Sequence, residues 1–388
     1  MPRSDKQTPP YGGFEQGPIR PPSEADSLLI RVTRNCPWNF CTFCPVYKGR
    51  RFSLRPVEHV LRDIDTVHKY VSMLSDAAGE DKRLTQAMAR EVSPRVDPGE
   101  DGAFHAALRW HSSGRRSIFL QDANSLIVKP QDLLQILRRL MERFPWVERI
   151  TSYARSHTIA RISDADLAAF RRSGLNRIHI GLESGSDRVL KATRKGTTKA
   201  MHVTAGRKVR AAGMALSEYV MPGLGGRALS REHATETADA LNRINPDFIR
   251  LRTLAIPNRV PLFEEYSTGA FEKLNDIETA AEILTFIQHL DGITSTVKSD
   301  HILNLFQEID GVLPDDKTHM VSILQRFLDL PPEDQTRYLV GRRLGLFHRL
   351  DDMASPHRMK KVEKICQKNG ITPDNVSDVV DELMKRFI

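Results

Sequence analysis

Cysteine is scarce in this chain, with four among 388 residues, and aromatic residues reach only 7%. So few thiols cannot supply the disulfide framework of a secreted scaffold. Long hydrophobic runs are missing too: no stretch approaches the roughly 18 apolar residues that a membrane-spanning helix needs. The opening Met1-Pro2-Arg3-Ser4-Asp5-Lys6 has no apolar core, so a secretory signal is not expected and a cytoplasmic protein is. Blocks of five like charges are also absent. Lysine and arginine exceed aspartate and glutamate by 57 − 49 = +8. That excess permits nucleic-acid binding without arguing for it, because pairs such as Arg138-Arg139, Arg171-Arg172 and Arg342-Arg343 are scattered as on solvated helix faces.

What is present reads as a globular protein, with 40% hydrophobic and 27% charged residues and length for one barrel-sized domain plus a smaller appendage. Residues 1–27 hold six prolines and three glycines, an extended lead-in that would drape over the folded domain. A repeating rhythm then begins. Strands are expected at Leu28–Thr33, Ser117–Gln121, Arg149–Tyr153, Arg177–Glu183, Ala215–Met221 and Phe248–Leu254, with a possible further one at Ser295–Ser299. Helical spacing comes after each: after Pro56 as the first helical residue, over Leu133–Met141, from a Ser163 cap to Gly174, over Lys199–Ala212, from a Ser230 cap to Ile244, and over Ile277–Leu290.

Six strand–helix units in succession require parallel strands with right-handed crossovers. The expected fold is therefore α/β, a partial (β/α)6 TIM-like barrel of parallel strands with a C-terminal helical region. Residues 28–300 would form the barrel, with a polar insertion at 75–115. Residues 301–388 would form the helical tail, with helices near 301–310, 316–330, 332–345, 356–369 and 374–387.

The chemistry concentrates at Cys36, Cys41 and Cys44, within nine residues just after the first strand. Ligand sites in parallel α/β folds form at the C-terminal ends of strands. Three thiolates leave a coordination position open, on a metal or on one iron of a cluster. Zinc would need a fourth ligand that no usual spacing supplies. A two-iron ferredoxin site would need Cys366, far downstream in a helix-like stretch. A 4Fe–4S cluster held by three cysteines is the third reading.

Over about residues 28–300 the sequence resembles the radical S-adenosylmethionine (radical SAM) superfamily, with one residue more than its usual C-x3-C-x2-C spacing. The likeness rests on the cysteines, on Arg177-Ile178-His179-Ile180-Gly181-Leu182-Glu183-Ser184-Gly185-Ser186-Asp187 with Lys195-Gly196 after it, and on Tyr219-Val220-Met221-Pro222-Gly223-Leu224-Gly225-Gly226. It is strongest to the branch containing the Elongator catalytic subunit, the methylthiotransferases and the oxygen-independent coproporphyrinogen dehydrogenases. The resemblance implies a 4Fe–4S cluster on Cys36, Cys41 and Cys44, with S-adenosylmethionine on the fourth iron. It implies that Glu183 and Ser184 meet the ribose or amino group, and that Lys195 or its neighbour Arg194 pairs with the carboxylate. Asp122 would stand where members receive the amino group, and Tyr153 where some place a ribose-binding Glu. A single-electron donor such as flavodoxin or ferredoxin is the implied partner.

Strand alternation adds an independent reading. Arg177, His179, Gly181 and Glu183 share one face of the fourth strand, opposite Ile178, Ile180 and Leu182. A polar face on an otherwise buried strand lines a wet or ligand-filled lumen. Arg31, Arg155, Arg250 and Arg252 would project there beside His179, and a guanidinium inside must find an anion. An anionic small-molecule substrate, contacted by Arg155, His179 and Arg252, is one source; protein carboxylates such as Asp122 or Glu218 are the other. Radical enzyme, electron-transfer or redox-sensing iron–sulfur protein, and RNA-modifying radical enzyme are the competing functions. The chain shows no aromatic-studded basic stretch for single-stranded RNA, so nucleic acid is not the expected partner.

Overall fold

The computed structural model describes residues 10–79 and 84–384. It resolves into two compact units, one made of Met1–Pro37, Gly49–His179 and Ala211–Met214, the other of Trp38–Lys48, Ile180–Arg210 and Ala215–Ile388.

The first unit contains β1 (Leu28–Arg31), a small antiparallel pair β2 (Thr33–Arg34) and β3 (Ser53–Leu54), and then β4 (Ser117–Gln121) and β5 (Arg149–Tyr153). β6 (Leu175–Glu183) starts in this unit, and the order β1-β4-β5-β6 is parallel throughout. All five residues of β4 are buried, as expected for a parallel strand covered on both faces. The crossover helix Val57–Ala78 presents Val60, Ile64, Val67, Val71 and Leu74 at helical spacing, all at the core. Pro56 caps that helix rather than opening it, because its extended ψ of 137° lies outside the helical region. Ser163 caps Asp164–Arg172 as expected, its hydroxyl accepting from the Asp166 amide at 3.0 Å.

The segment 75–115 is largely helical where it is described, not a polar excursion. Gln86–Val92 and Asp101–Ser112 are helices, and the second buries Ala103, Phe104, Ala107 and Trp110. Residues 80–83 of that segment lie outside the described residues. Burial of two large aromatic side chains on one helix face outweighs the glycine and proline breaks around it.

In the second unit β6 continues beside β7 (Ala215–Val220), β8 (Phe248–Leu251) and β9 (Thr296–Lys298), which run parallel, and β10 (Gly311–Val312) closes the run antiparallel to β9. The α/β class with parallel strands and crossover helices therefore holds in both units, each an open run of strands rather than a closed ring. The helix expected from a Ser230 cap spans Gly226–Ile244 instead, because Ser230 turns its hydroxyl to Glu282 (2.6 Å) rather than to a helix amide. No helix forms at 301–310. There Asn304 accepts from the Thr253 amide at 2.9 Å and donates to the Leu251 carbonyl at 2.8 Å, so tertiary hydrogen bonds replace helical ones. Beyond it Lys317–Leu328, Pro332–Arg343, Pro356–Asn369 and Val376–Met384 form the helical tail, around Phe306, Phe327, Tyr338 and Phe347.

Candidate functional site

In the first unit the end of β4 is tied to the end of β1. The Asp122 carboxylate is buried; one oxygen, Oδ2, receives Arg31 at 2.6 Å and the Asn35 amide at 3.1 Å. The lead-in crosses the same place. Gly17 donates to Gln121 Oε1 at 2.8 Å, and the Gln121 amide donates back to the Gly17 and Ile19 carbonyls. Glu15 meets Arg34, Arg31 and Arg55. Burial pushes the Glu15 carboxyl up, but the Arg34 hydrogen bond and the three guanidinium charges outweigh it, so its pKa falls below the usual value.

Further along, Glu24 is buried beside His179 (3.3 Å) and Arg149 (3.2 Å), and the Ser27 hydroxyl donates to it at 2.6 Å. Burial again opposes ionisation, yet these partners hold the Glu24 carboxyl below its usual value. Tyr153 packs edge-on against Phe119 at 5.5 Å and tilts over His179 at 5.3 Å. Arg155 gives its backbone amide to Asn124. Neither glutamate of the lead-in stood out in the sequence, since a Pro/Gly-rich segment carries no periodicity to show which way a side chain faces.

In the second unit the loop carrying Cys41 and Cys44 is docked on the turn after the helix Asp187–Ala192. The Thr42 amide donates to the Thr193 carbonyl at 3.0 Å and the Trp38 indole to the Arg194 carbonyl at 2.7 Å. Phe43 sits in an apolar cluster with Val189, Leu224, Leu254, Val260 and Leu262, against which Cys41 and Cys44 pack.

The end of β6 holds the charged groups. Lys195 Nζ lies 3.0 Å from Glu183 Oε1, both side chains about nine-tenths buried. Glu183 adopts a left-handed φ of 63°, an uncommon conformation for a residue with a side chain. Gly181 leaves the room: a Cβ there would stand 2.3 Å from Glu183 Oε1 and 3.0 Å from Lys195 Nζ. On β7, Glu218 is fully buried, and neither of its oxygens has a hydrogen-bond partner among the described residues. Burial, and then the nearby Glu183 charge, push its carboxyl well above the usual value, while Lys195 only partly opposes them. Glu218 was legible only as a counter-ion for arginine; it lies on a strand with Glu183 and Lys195 as its charged neighbours. Its signal in the sequence was a lone carboxylate in an apolar strand.

Other expected residues are spoken for. Ser184 is buried, with its hydroxyl 2.8 Å from His233 Nδ1 and accepting the Ser186 amide at 3.0 Å. Arg194 is solvent-facing and offers its carbonyl to Trp38, so Lys195 is the cation at Glu183. Arg250 pairs with Asp300 at 2.5 Å, and Arg252 is exposed. With Arg31 on Asp122 and His179 beside Glu24, protein carboxylates, the second of the two expected sources, supply partners for three of these groups.

Among the described residues no three histidine, cysteine or carboxylate side chains are already gathered as a metal site. The donor set nevertheless fits an iron–sulfur cluster in kind: Cys36, Cys41 and Cys44 are partly exposed, and none is in a disulfide. Cys366 is buried, and burial raises its thiol pKa, as for an inert core residue.

Residues 94–239 match the family model described as the radical SAM superfamily, a span that begins after the cysteines and contains Asp122, Tyr153, Glu183, Ser184, Lys195 and Glu218. No curated protein matches the chain. Similar solved structures include the Elp3 of the archaeon Methanocaldococcus infernus lacking its N-terminus, at 13% identity, TM-score 0.40, and 54% of each chain covered. Methylornithine synthase is 12% identical, with TM-score 0.42, covering 76% of this chain and 69% of that one. The Escherichia coli coproporphyrinogen III oxidase, described as a radical SAM enzyme, is 13% identical, with TM-score 0.44, covering 68% of this chain and 52% of that one. The chain thus spans about half the length of the archaeal and Escherichia coli proteins.

Proposed function

We propose, from the match of residues 94–239 to the radical SAM superfamily, whose members use a 4Fe–4S cluster and S-adenosylmethionine, that this chain is a radical enzyme acting on a small molecule. When bound, the cluster supplies one electron that cleaves S-adenosylmethionine to methionine and a 5′-deoxyadenosyl radical able to take hydrogen from a substrate. Cys36, Cys41 and Cys44 would hold the cluster and leave one iron open.

The observation that carries this reading is the cradle of Gly181, Glu183, Lys195 and Glu218. Lys195 offers a cation to a carboxylate, and Glu183 offers an acceptor to an ammonium or a hydroxyl. Burial raises the Glu218 pKa and so favours its protonated form, which can donate as well as accept. Such a set suits a zwitterionic ligand with hydroxyl groups. The apolar wall of Phe43, Leu224 and Leu254 excludes water from one side, which protects reactive intermediates. A reductant such as flavodoxin or ferredoxin would supply the electron. No described helix is long and apolar enough to cross a membrane. The scarcity of cysteine and the need of such a cluster for a reducing compartment favour the cytoplasm.

The test is anaerobic reconstitution with iron and sulfide, then reduction by dithionite with S-adenosylmethionine present. The expected result is about four irons per chain and release of 5′-deoxyadenosine. Cys41→Ala should abolish both, and Cys366→Ala should change neither. A two-iron spectrum, or cluster loss on Cys366→Ala, would overturn the reading.

A further inference from the structure

The fixed end of β4 has a different use from the one its family resemblance suggests. We infer that Asp122 is a positioning residue for the cysteine loop rather than a ligand of S-adenosylmethionine, and that the lead-in locks it in that role. The inference rests on Cys36 being a cluster ligand, as proposed above.

Asp122 spends one carboxylate oxygen on the stretch immediately before Cys36. Its Oδ2 receives Arg31 Nε at 2.8 Å, Arg31 Nη2 at 2.6 Å and the Asn35 amide at 3.1 Å. Asn35 needs holding, because its φ of 65° is left-handed. Its side chain completes the clasp: Nδ2 donates to the Arg51 carbonyl at 2.6 Å, and Oδ1 accepts Arg31 Nη2 at 3.4 Å. One residue further on, the chain delivers Cys36. A turn held this way fixes where that thiol leaves the strand, the kind of outer contact that tunes a metal ligand's orientation.

The other oxygen, Oδ1, is buried and has no hydrogen-bond partner among the described residues. An incoming ammonium could use it, except that the lead-in covers it. A Cβ at Gly17 would stand 1.8 Å from Oδ1 and 2.6 Å from the carboxyl carbon, so the main chain at 17 lies directly on Asp122. The lead-in is itself anchored by Gln121 on Gly17 and Ile19, by Glu15 on Arg34 and Arg31, and by Tyr11 donating to Asp63 at 2.6 Å.

The test uses amide hydrogen exchange on the metal-free chain, so it does not depend on the cluster. Asp122→Asn removes the charge but keeps the shape, and Gly17→Ala displaces the carboxylate without touching it chemically. Gly12→Ala, where nothing lies within 4 Å of the new methyl group, is the control. Exchange at the Asn35 amide should quicken by about tenfold or more in the first two variants. It should be unchanged in the third, and the Ser117–Gln121 strand should keep its protection in all three. In reconstituted protein, Asp122→Asn should lose iron to a chelator several times faster and shift the electron paramagnetic resonance of the reduced cluster, while S-adenosylmethionine affinity stays within about threefold. Unchanged Asn35 exchange would overturn the inference, and so would lost S-adenosylmethionine affinity with an undisturbed loop. Wild-type protein that takes up no iron would instead overturn the cluster reading, leaving the exchange result to judge Asp122 as the clasp of the turn.

Discussion

Lys195 Nζ and Glu183 Oε1, 3.0 Å apart, meet over Gly181, where a Cβ would stand 2.3 Å from the carboxylate oxygen and 3.0 Å from the ammonium. The pair is sheltered enough that its charges are weakly screened, and it acts on a second carboxyl, Glu218, whose pKa burial raises.

Lys195→Ala should weaken S-adenosylmethionine binding about 10- to 100-fold, the loss expected when a partly buried charge-assisted contact of about 1.5–3 kcal/mol disappears. Titration calorimetry on the reconstituted protein measures it. Unchanged affinity would mean that Lys195 serves Glu183 alone.

Gly181→Ala offers a subtler probe of the same cradle. The new methyl group would collide with the tips of Glu183 and Lys195, which are ends of flexible side chains and can move aside. Affinity should therefore fall as it does in Lys195→Ala, while the melting temperature changes by only a few degrees. A large loss of stability with normal affinity would place the strain in the backbone instead.

Glu218 makes stability depend on pH in a definite direction. Its folded-state pKa lies well above the usual 4.5, so between those values the folded chain binds a proton that the unfolded chain has released. Stability contributed by this group is thus full below about pH 4.5 and falls as pH rises, by at most about 1.4 kcal/mol per pH unit. Glu218→Gln removes the dependence. The variant should melt higher than wild type at pH 8 and level with it near pH 4. Parallel melting curves across that range would show that Glu218 is ionised in the fold.

These contrasts explain what the sequence revealed. Glu183 and Lys195 were singled out by the family resemblance, and the fold brings the two side chains to 3.0 Å across twelve residues of chain. Ser184 was singled out by the same resemblance, and its hydroxyl stands 2.8 Å from His233 Nδ1, a partner 49 residues later that no local pattern announces. The grip of the lead-in on Gln121 spans 104 residues and involves backbone groups, which no pattern of side chains encodes. The helix at Asp101–Ser112 was present as Phe104, Ala107 and Trp110 at helical spacing, but the surrounding polar residues obscured it. At 301–310 the opposite happened: apolar spacing suggested a helix, and Asn304 took the backbone of a neighbouring strand end instead.

The arm carrying Cys41 and Cys44 leads to the last prediction. Gly196 has a φ of 69°, and a Cβ there would stand 2.3 Å from two atoms of the Trp38 indole. The Trp38 indole is held by its hydrogen bond to the Arg194 carbonyl and by an edge contact with Phe40 at 5.2 Å. Gly196→Ala therefore strains the backbone and also drives the indole away from the turn. Gly213→Ala isolates the first effect, since φ there is 74° and nothing lies within 4 Å. The conformational penalty alone should cost about 1 kcal/mol in both variants. Gly196→Ala should lose more stability than Gly213→Ala, and only it should show altered tryptophan fluorescence and take up less iron on reconstitution. Equal losses in the two variants, with equal iron uptake, would mean that Trp38 does not brace the cysteine arm.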